Sequence, residues 1–191
     1  MEPLKGTLIR LRAIEPEDED ILYRWENDQK IWQVSNTLAP FSRQILRQYL
    51  SQAHLDIFQA KQLRLVIETL EEDKPVGLID LFDFDPHHQR AGVGILIGET
   101  SEWGKGYAKE ALKVLLRYVF TVLFLNQVYC SIDETNTTSL NLFKNAGFRI
   151  TGIKEKWNRN YTGWTNEWFL QITSDDWSAI ERNEGISPRN V

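Results

Sequence analysis

Cysteine is nearly absent: Cys130 stands alone among 191 residues. A disulfide within the chain needs a second thiol and a cysteine-rich zinc site needs several, so both are excluded. Six prolines and 11 glycines are too few for a collagen-like chain or one kept disordered by Pro and Gly. Long hydrophobic runs are missing too. The most apolar stretch, Val114 to Leu125, is interrupted by Arg117 and falls well short of the roughly 20 residues of a membrane span. Positive charge is in deficit, with 22 Lys+Arg against 27 Asp+Glu and a net charge of −5. That balance argues against a sequence-independent nucleic-acid binder, which needs a basic face, although a local basic pocket stays open. The start, Met1 to Gly6, has no apolar run of the signal-peptide type, so a cytoplasmic protein is the expectation.

What remains is ordinary for a folded protein: 42% hydrophobic and 26% charged residues. The length suits one domain, 1–191, able to bury a core without metals or disulfides. No linker, repeat or low-complexity tract divides it. The seven tryptophans are unusual.

Hydrophobic periodicity orders the elements. Thr7 to Arg12 alternates as a strand, and Pro16 with the acids after it opens a helix through Trp25. Ser42 is a candidate N-cap for a second helix through about His54. Leu63 to Thr69 and Val76 to Phe84 read as paired strands across the polar turn Glu71 to Pro75, and Ala91 to Ile97 as another. Gly106 to about Leu123 is the longest helix, with Ala108, Ala111, Leu112, Leu115, Val119 and Leu123 on one face. There follow a strand at Gln127 to Asp133, a helix at Asn136 to Asn145, and strands near Arg149 to Lys156 and Glu167 to Thr173. Ser174, Asp175 and Asp176 are placed to cap a last short helix. Interleaved strands and helices around a mixed sheet give the class α/β or α+β.

Two segments carry chemistry. Glu102-Trp103-Gly104-Lys105-Gly106-Tyr107-Ala108 lies between a buried strand and the longest helix. Close glycines let a ligand approach the backbone, and the first helical N–H groups lack intrahelical partners. Such a turn suits an anion, with Lys105 adding a cation, though a tight loop alone would read the same. It is neither a Walker loop nor a dinucleotide fingerprint. Further on, Asp133 to Phe148 reads D-x-x-N-x-x-S-x-x-x-F-x-x-x-G-F. Asn136 and Ser139, three apart, face one side of the helix start, where they serve equally as caps or as ligand contacts.

Together, EWGKGYAKEAL and DETNTTSLNLFKNAGF resemble the GNAT superfamily of acetyl-CoA-dependent N-acetyltransferases. The chain is similar to the branch with spermidine and ribosomal-protein N-terminal acetyltransferases, and the resemblance covers about Leu8 to Ile172. The resemblance implies a domain with its core at about 7–173, a mixed sheet of about six to seven strands flanked by helices, and splayed strands holding acetyl-CoA. It implies that backbone N–H groups of Trp103, Gly104, Lys105, Gly106, Tyr107 and Ala108, with Lys109 beside them, hold the coenzyme A pyrophosphate. Trp103 stands where Gln or Arg is usual. Ile95, Leu96 and Ile97 would pair their backbone with the pantetheine, and Asn136, Ser139, Phe143 and Lys144 would flank the pantetheine and adenine end. No metal is implied.

Acetyl transfer requires an amine freed of its proton, which an unperturbed ammonium holds with a pKa of about 10.4. It also requires a donor for the tetrahedral oxyanion, which the splayed strand's N–H groups can supply. The thiolate, from a thiol with a pKa of about 8.5, leaves without much help. Two residues usual in the family are missing. Phe143 replaces a tyrosine acid, and Gly92, in Arg90-Ala91-Gly92, replaces a glutamate. Asp80 is the nearest substitute base, acting through a water or attracting an ammonium. Strand alternation points it opposite to Asp83. Tyr129 is the candidate proton donor. His87 and His88 read as turn residues, and Cys130 as a small buried apolar residue.

The acceptor is less defined. Acidity and the Asp80, Asp83 and Asp85 set suit a cation, and Trp25, Trp32, Trp157, Trp164 and Trp168 are candidate ring walls. Leu38-Ala39-Pro40 lacks the acids that the polyamine branch carries before this proline. Polyamines or diamines, protein N-termini and amino sugars all stay open. The reading is a cytoplasmic N-acetyltransferase working by direct attack in a ternary complex, with homodimers common among similar proteins. One rival is a catalytically weak acyl-CoA-binding sensor or scaffold; another is a nucleotide-phosphate protein using the same turn.

Overall fold

A computed structural model describes residues 2–35, 37–53, 55–160 and 163–183. Its elements run β1 (Ile9–Ala13), α1 (Glu19–Glu26), α2 (Gln29–Ser35), α3 (Arg43–Ser51), α4 (Ile57–Ala60), β2 (Leu63–Thr69), β3 (Pro75–Asp85) and β4 (Arg90–Ile97). They continue α5 (Tyr107–Thr121), β5 (Gln127–Asp133), α6 (Thr137–Asn145), β6 (Arg149–Asn160), β7 (Gly163–Thr173) and α7 (Ser174–Asn183). The seven strands form one sheet in the order β1-β2-β3-β4-β5-β7-β6. Every pairing is antiparallel except β4 with β5, which is parallel. This is the mixed sheet that the sequence pattern predicts.

Local chemistry accounts for the boundaries. Ser42 caps α3 by accepting from the Ile45 N–H at 3.2 Å, and Asp56 caps α4 by accepting from Phe58 and Gln59. The α3 helix closes at Ser51; His54, its predicted end, lies outside the described residues. Before α1, a turn of 3-10 helix at Pro16–Asp18 is held by reciprocal bonds between Glu15 and Asp18. Arg12 grips the Asp18 carboxylate with two bonds of 2.8 Å, which fixes this turn to β1.

Two clusters sandwich the sheet. On one face Ile9, Ile67, Ile79, Leu81, Val93, Val128, Cys130 and Leu170 meet the buried stripe of α5 (Ala111, Leu112, Leu115, Leu116, Val119) and Trp177 of α7. At about 1.5–3 kcal/mol for each large apolar side chain, that stripe holds α5 in place. The opposite face is covered only in part. Leu22 and Trp25 of α1 and Leu46 and Leu50 of α3 pack on Val66, Leu78 and Leu96, and this cluster stops at β4. Among the described residues, the same face of β5 and β7 is left open. Glu110, in the first turn of α5, accepts from the N–H groups of Thr7, Leu8 and Ile9 at 2.7 to 3.0 Å and so ties the start of β1 to the helix.

Candidate active site

The parallel pairing of β4 and β5 lasts three rungs: Arg90 with Gln127, Ala91 with Val128, and Gly92 with Tyr129. Beyond Gly92, β4 stays paired to β3 as far as Ile97, and β5 to β7 as far as Asp133. A wedge therefore opens between them. Its cavity of about 450 Å³ is walled by Val93 to Ile95 on one side and Cys130 to Asp133 on the other, and closed by the first turn of α6 and Phe143.

The backbone of β4 offers bonding groups to this wedge. Gly98 donates to Val76 across the β3 side at 3.0 Å. Since antiparallel residues alternate between bonded and non-bonded pairs, Val93, Ile95 and Ile97 then turn their N–H and C=O groups toward the wedge. The Ile97 carbonyl already has a partner there, the Trp103 indole N–H at 3.0 Å. Leu96 differs from its neighbours: its backbone turns to β3, and its side chain packs on the second cluster.

At the far end of β4 lies the glycine turn. Gly104 and Gly106 have φ of 77° and 88°, the left-handed region where a side chain is strained. The first bond of α5 runs from the Glu110 N–H to the Gly106 carbonyl at 3.0 Å. The N–H groups of Tyr107, Ala108 and Lys109 precede it and have no intrahelical acceptor. Lys105 is less free than its sequence suggests. Its ammonium lies 2.7 Å from Glu102, whose other oxygen takes Lys74 at 2.7 Å. Hydrogen bonds from Lys105 and Lys74 hold the Glu102 carboxyl below the usual range.

In α6, Asn136 caps the helix by accepting from the Ser139 N–H at 3.1 Å. Both residues also line the wedge, so capping and lining coexist. The Phe143 ring is buried edge-on to Phe148, whereas Lys144 is exposed and does not line the wedge. Beside them Asp133 ends β5. Burial pushes its carboxyl up, but bonds from Thr165, Thr135 and Asn158 outweigh this and bring it down to about 2. Cys130 is buried in the wall, and burial pushes its thiol up, consistent with an inert small residue.

The two proton-handling candidates are placed apart. Asp80 pairs across the sheet with Arg64 and Gly94. Its Oδ1 accepts from Arg64 Nε at 2.6 Å, and the same guanidinium reaches Glu26 at 3.1 Å. Tyr129 projects from the last β4–β5 rung into a separate basin and donates to Asp83 Oδ2 at 3.2 Å. Burial, then the Asp83 charge, raises the Tyr129 phenol above its usual value, so it is a neutral donor at pH 7.

Strand alternation predicts Asp83 opposite to Asp80, but the strand is irregular at this point. The β3–β4 register shifts between Phe82 and Asp85, and Asp83 has a φ of 50°. The bulge turns its carboxylate onto the Tyr129 side. Sequence reasoning also missed the occupant of the space over Gly92. The Phe82 ring lies there, 2.3 Å from where a Cβ at position 92 would be. The signal available was the aromatic–acid doublet Phe82-Asp83-Phe84-Asp85 just before Pro86. Nothing in the sequence pointed to Arg64 as the partner of Asp80, or to the pairing of Glu102 with both Lys105 and Lys74. Among the described residues, no cluster of three His, Cys, Asp or Glu could hold a metal, and no helix is long and apolar enough to cross a membrane.

Comparison with known proteins agrees with this fold. Residues 9–149 match the family model described as an acetyltransferase (GNAT) domain. The chain is 30% identical over 156 residues to an uncharacterized N-acetyltransferase p20 of Bacillus licheniformis, covering 80% of this chain and 85% of that one. It is 27% identical over 144 residues to the spermidine N(1)-acetyltransferase of Escherichia coli, covering 75% and 74%. Among solved structures, the spermidine N-acetyltransferase of Vibrio cholerae in complex with CoA and spermine superposes with a TM-score of 0.81 at 22% identity, covering 91% of this chain and 99% of that one.

Proposed function

The chain belongs to the GNAT acetyltransferase family, and from that premise we propose that it moves an acetyl group from acetyl-CoA to a primary amine, with 1–191 acting as one such domain. The observation that carries this reading is the wedge between β4 and β5, leading to the glycine turn at the head of α5. The residues fit the co-substrate. Val93 and Ile95 turn bonding groups to the cleft, as an edge strand does to an added strand. Gly104 and Gly106 bring backbone close to a pyrophosphate, and the N–H groups of Tyr107, Ala108 and Lys109 add an anion-binding helix end. Asn136, Ser139 and Phe143 form the opposite wall.

Acetyl-CoA supplies a thioester whose carbonyl carbon accepts the neutral amine nitrogen. The C–N bond forms, the C–S bond breaks with its electron pair leaving on sulfur, and one amine proton is released. Within the chain, N–H groups of β4 at the wedge stabilise the developing oxyanion. Tyr129 is the proton donor at the rung where the wedge begins. Asp80, with one oxygen held by Arg64, keeps the other for a water-borne proton or for attraction of an ammonium. A second reading, a weak acyl-CoA-binding sensor, is favoured by Phe143 and Phe82 filling the places of the usual tyrosine and glutamate.

A thiol-release assay with acetyl-CoA across an amine panel separates the two. Turnover on at least one amine supports the enzyme, and tight coenzyme A binding with no turnover supports the sensor. Gly106→Asp should cut coenzyme A affinity by more than about a hundredfold by titration calorimetry. It sets a carboxylate against the pyrophosphate and a side chain at φ of 88°. Unchanged affinity would remove the turn from the site.

A further inference from the structure

The face of the sheet left open by α1 and α3 has its own basin of about 640 Å³ over β3, β4, β5 and β7. It adjoins the wedge along β5: Gln127 and Tyr129 line the basin, and Cys130 and Ser131 line the wedge. Its floor is aromatic. Phe169 stacks on Tyr129 with ring centroids 5.4 Å apart and planes at 27°, and Phe82 meets Tyr129 edge-on at 6.1 Å. Its rim is charged but nearly balanced. Asp85 is paired with Arg90 at 3.3 Å, while Asp83 is exposed and, among the described residues, accepts from the Tyr129 hydroxyl without any cation. Arg149, on the neighbouring strand, is spent on Asp176 at 3.0 Å. Two carboxylates and one guanidinium leave a single net negative charge.

We propose that this basin is the acceptor subsite and that it takes a primary amine with one positive charge and an apolar or ring body. The ammonium sits on Asp83 and the body lies on Phe169 and Tyr129. This deepens the acetyltransferase reading and rests on it. Charge count decides against a polyamine. A chain of several ammonium groups needs several unpaired carboxylates in a row, and among the described residues of the basin Asp83 alone has no cation partner. A carboxylate beside half-buried rings gives one cation both a charge-assisted hydrogen bond and a cation–π contact. Position decides for an acceptor. Tyr129 stands on the last rung before the wedge, so the basin and the cleft proposed for the thioester meet at that residue.

Phenethylamine carries one ammonium and one ring and is the probe. It is titrated calorimetrically onto the full chain loaded with coenzyme A, with spermidine run in parallel. Asp83→Asn should weaken phenethylamine at least about tenfold, and Phe169→Leu several-fold, with coenzyme A affinity unchanged in both. Asn accepts a φ of 50°, so the first variant keeps the bulge. Spermidine should bind no more tightly than phenethylamine. Wild-type affinity in Asp83→Asn, no phenethylamine binding by the wild type, or spermidine binding tenfold tighter would each overturn the proposal. Binding is read without turnover. Asp83-dependent phenethylamine binding in a protein that releases no thiol would sink the acetyltransferase chemistry and leave the subsite standing.

Discussion

A Cβ on Gly92 would come within 2.3 Å of the Phe82 ring, which meets Tyr129 edge-on. The missing carboxylate is thus a swap of volumes, glycine on β4 for phenylalanine on β3. Restoring a glutamate alone should fail. Gly92→Glu is expected to lose about 1–3 kcal/mol to overpacking in chemical denaturation, and the double variant Phe82→Ala with Gly92→Glu should regain much of it. A single variant as stable as wild type would mean the ring moves freely. The glycine was legible in the sequence and its filler was not, because cross-strand neighbours are set by register. The Asp80 partner has the same origin. Arg64 lies sixteen positions upstream and meets Asp80 only through the β2–β3 pairing. Asp83 was misplaced for a different reason: alternation holds only in regular strand, and its φ of 50° breaks the period.

At the scale of elements, the strongly periodic segments were read well. The α5 stripe and the β2–β3 hairpin lie within two residues of their predicted bounds. The β6–β7 hairpin was not. It extends β6 to Asn160 and begins β7 at Gly163, past the predicted Lys156 and ahead of Glu167. Polar residues, with Trp157 and Trp164 among them, dominate this extension, and Asp133 ties it down, reached from Asn158 at 2.9 Å and Thr165 at 2.5 Å. Helices α2 and α4 also went unread, being too short to show a period. Asp133 makes the hairpin's attachment sensitive to pH. Its folded value of about 2 lies below the ordinary 3.8 of an aspartate, so the folded state binds its proton less readily than the unfolded chain. The stability it adds is present above about pH 4 and lost as pH falls toward 2. For this partly exposed group it is on the order of 1–2 kcal/mol after screening. Asp133→Asn should lower stability at pH 7 and flatten its decline between pH 4 and 2. Equal pH slopes for the two proteins would locate the acid sensitivity elsewhere.

Across the whole molecule, a net charge of −5 meets two proposed substrates of opposite sign. Coenzyme A is an anion, so its site must overcome the overall field with short-range backbone donors, and the local cations Lys105 and Lys74 are already shared with Glu102. A cationic amine is drawn in by that same field. Salt screens the long-range part and leaves the contacts largely intact, as the Debye length falls from about 30 Å at 0.01 M to about 8 Å at 0.15 M. The two affinities should therefore move in opposite directions. Over that range the KM for the amine should rise several-fold, while the Kd for coenzyme A stays level or falls. Measuring the Kd by calorimetry and the KM at saturating acetyl-CoA keeps the two effects separate. A Kd that rises with salt as steeply as the KM would mean that free lysines, not oriented N–H groups, dominate the anion site. The Glu102 pairing would then have to open on binding.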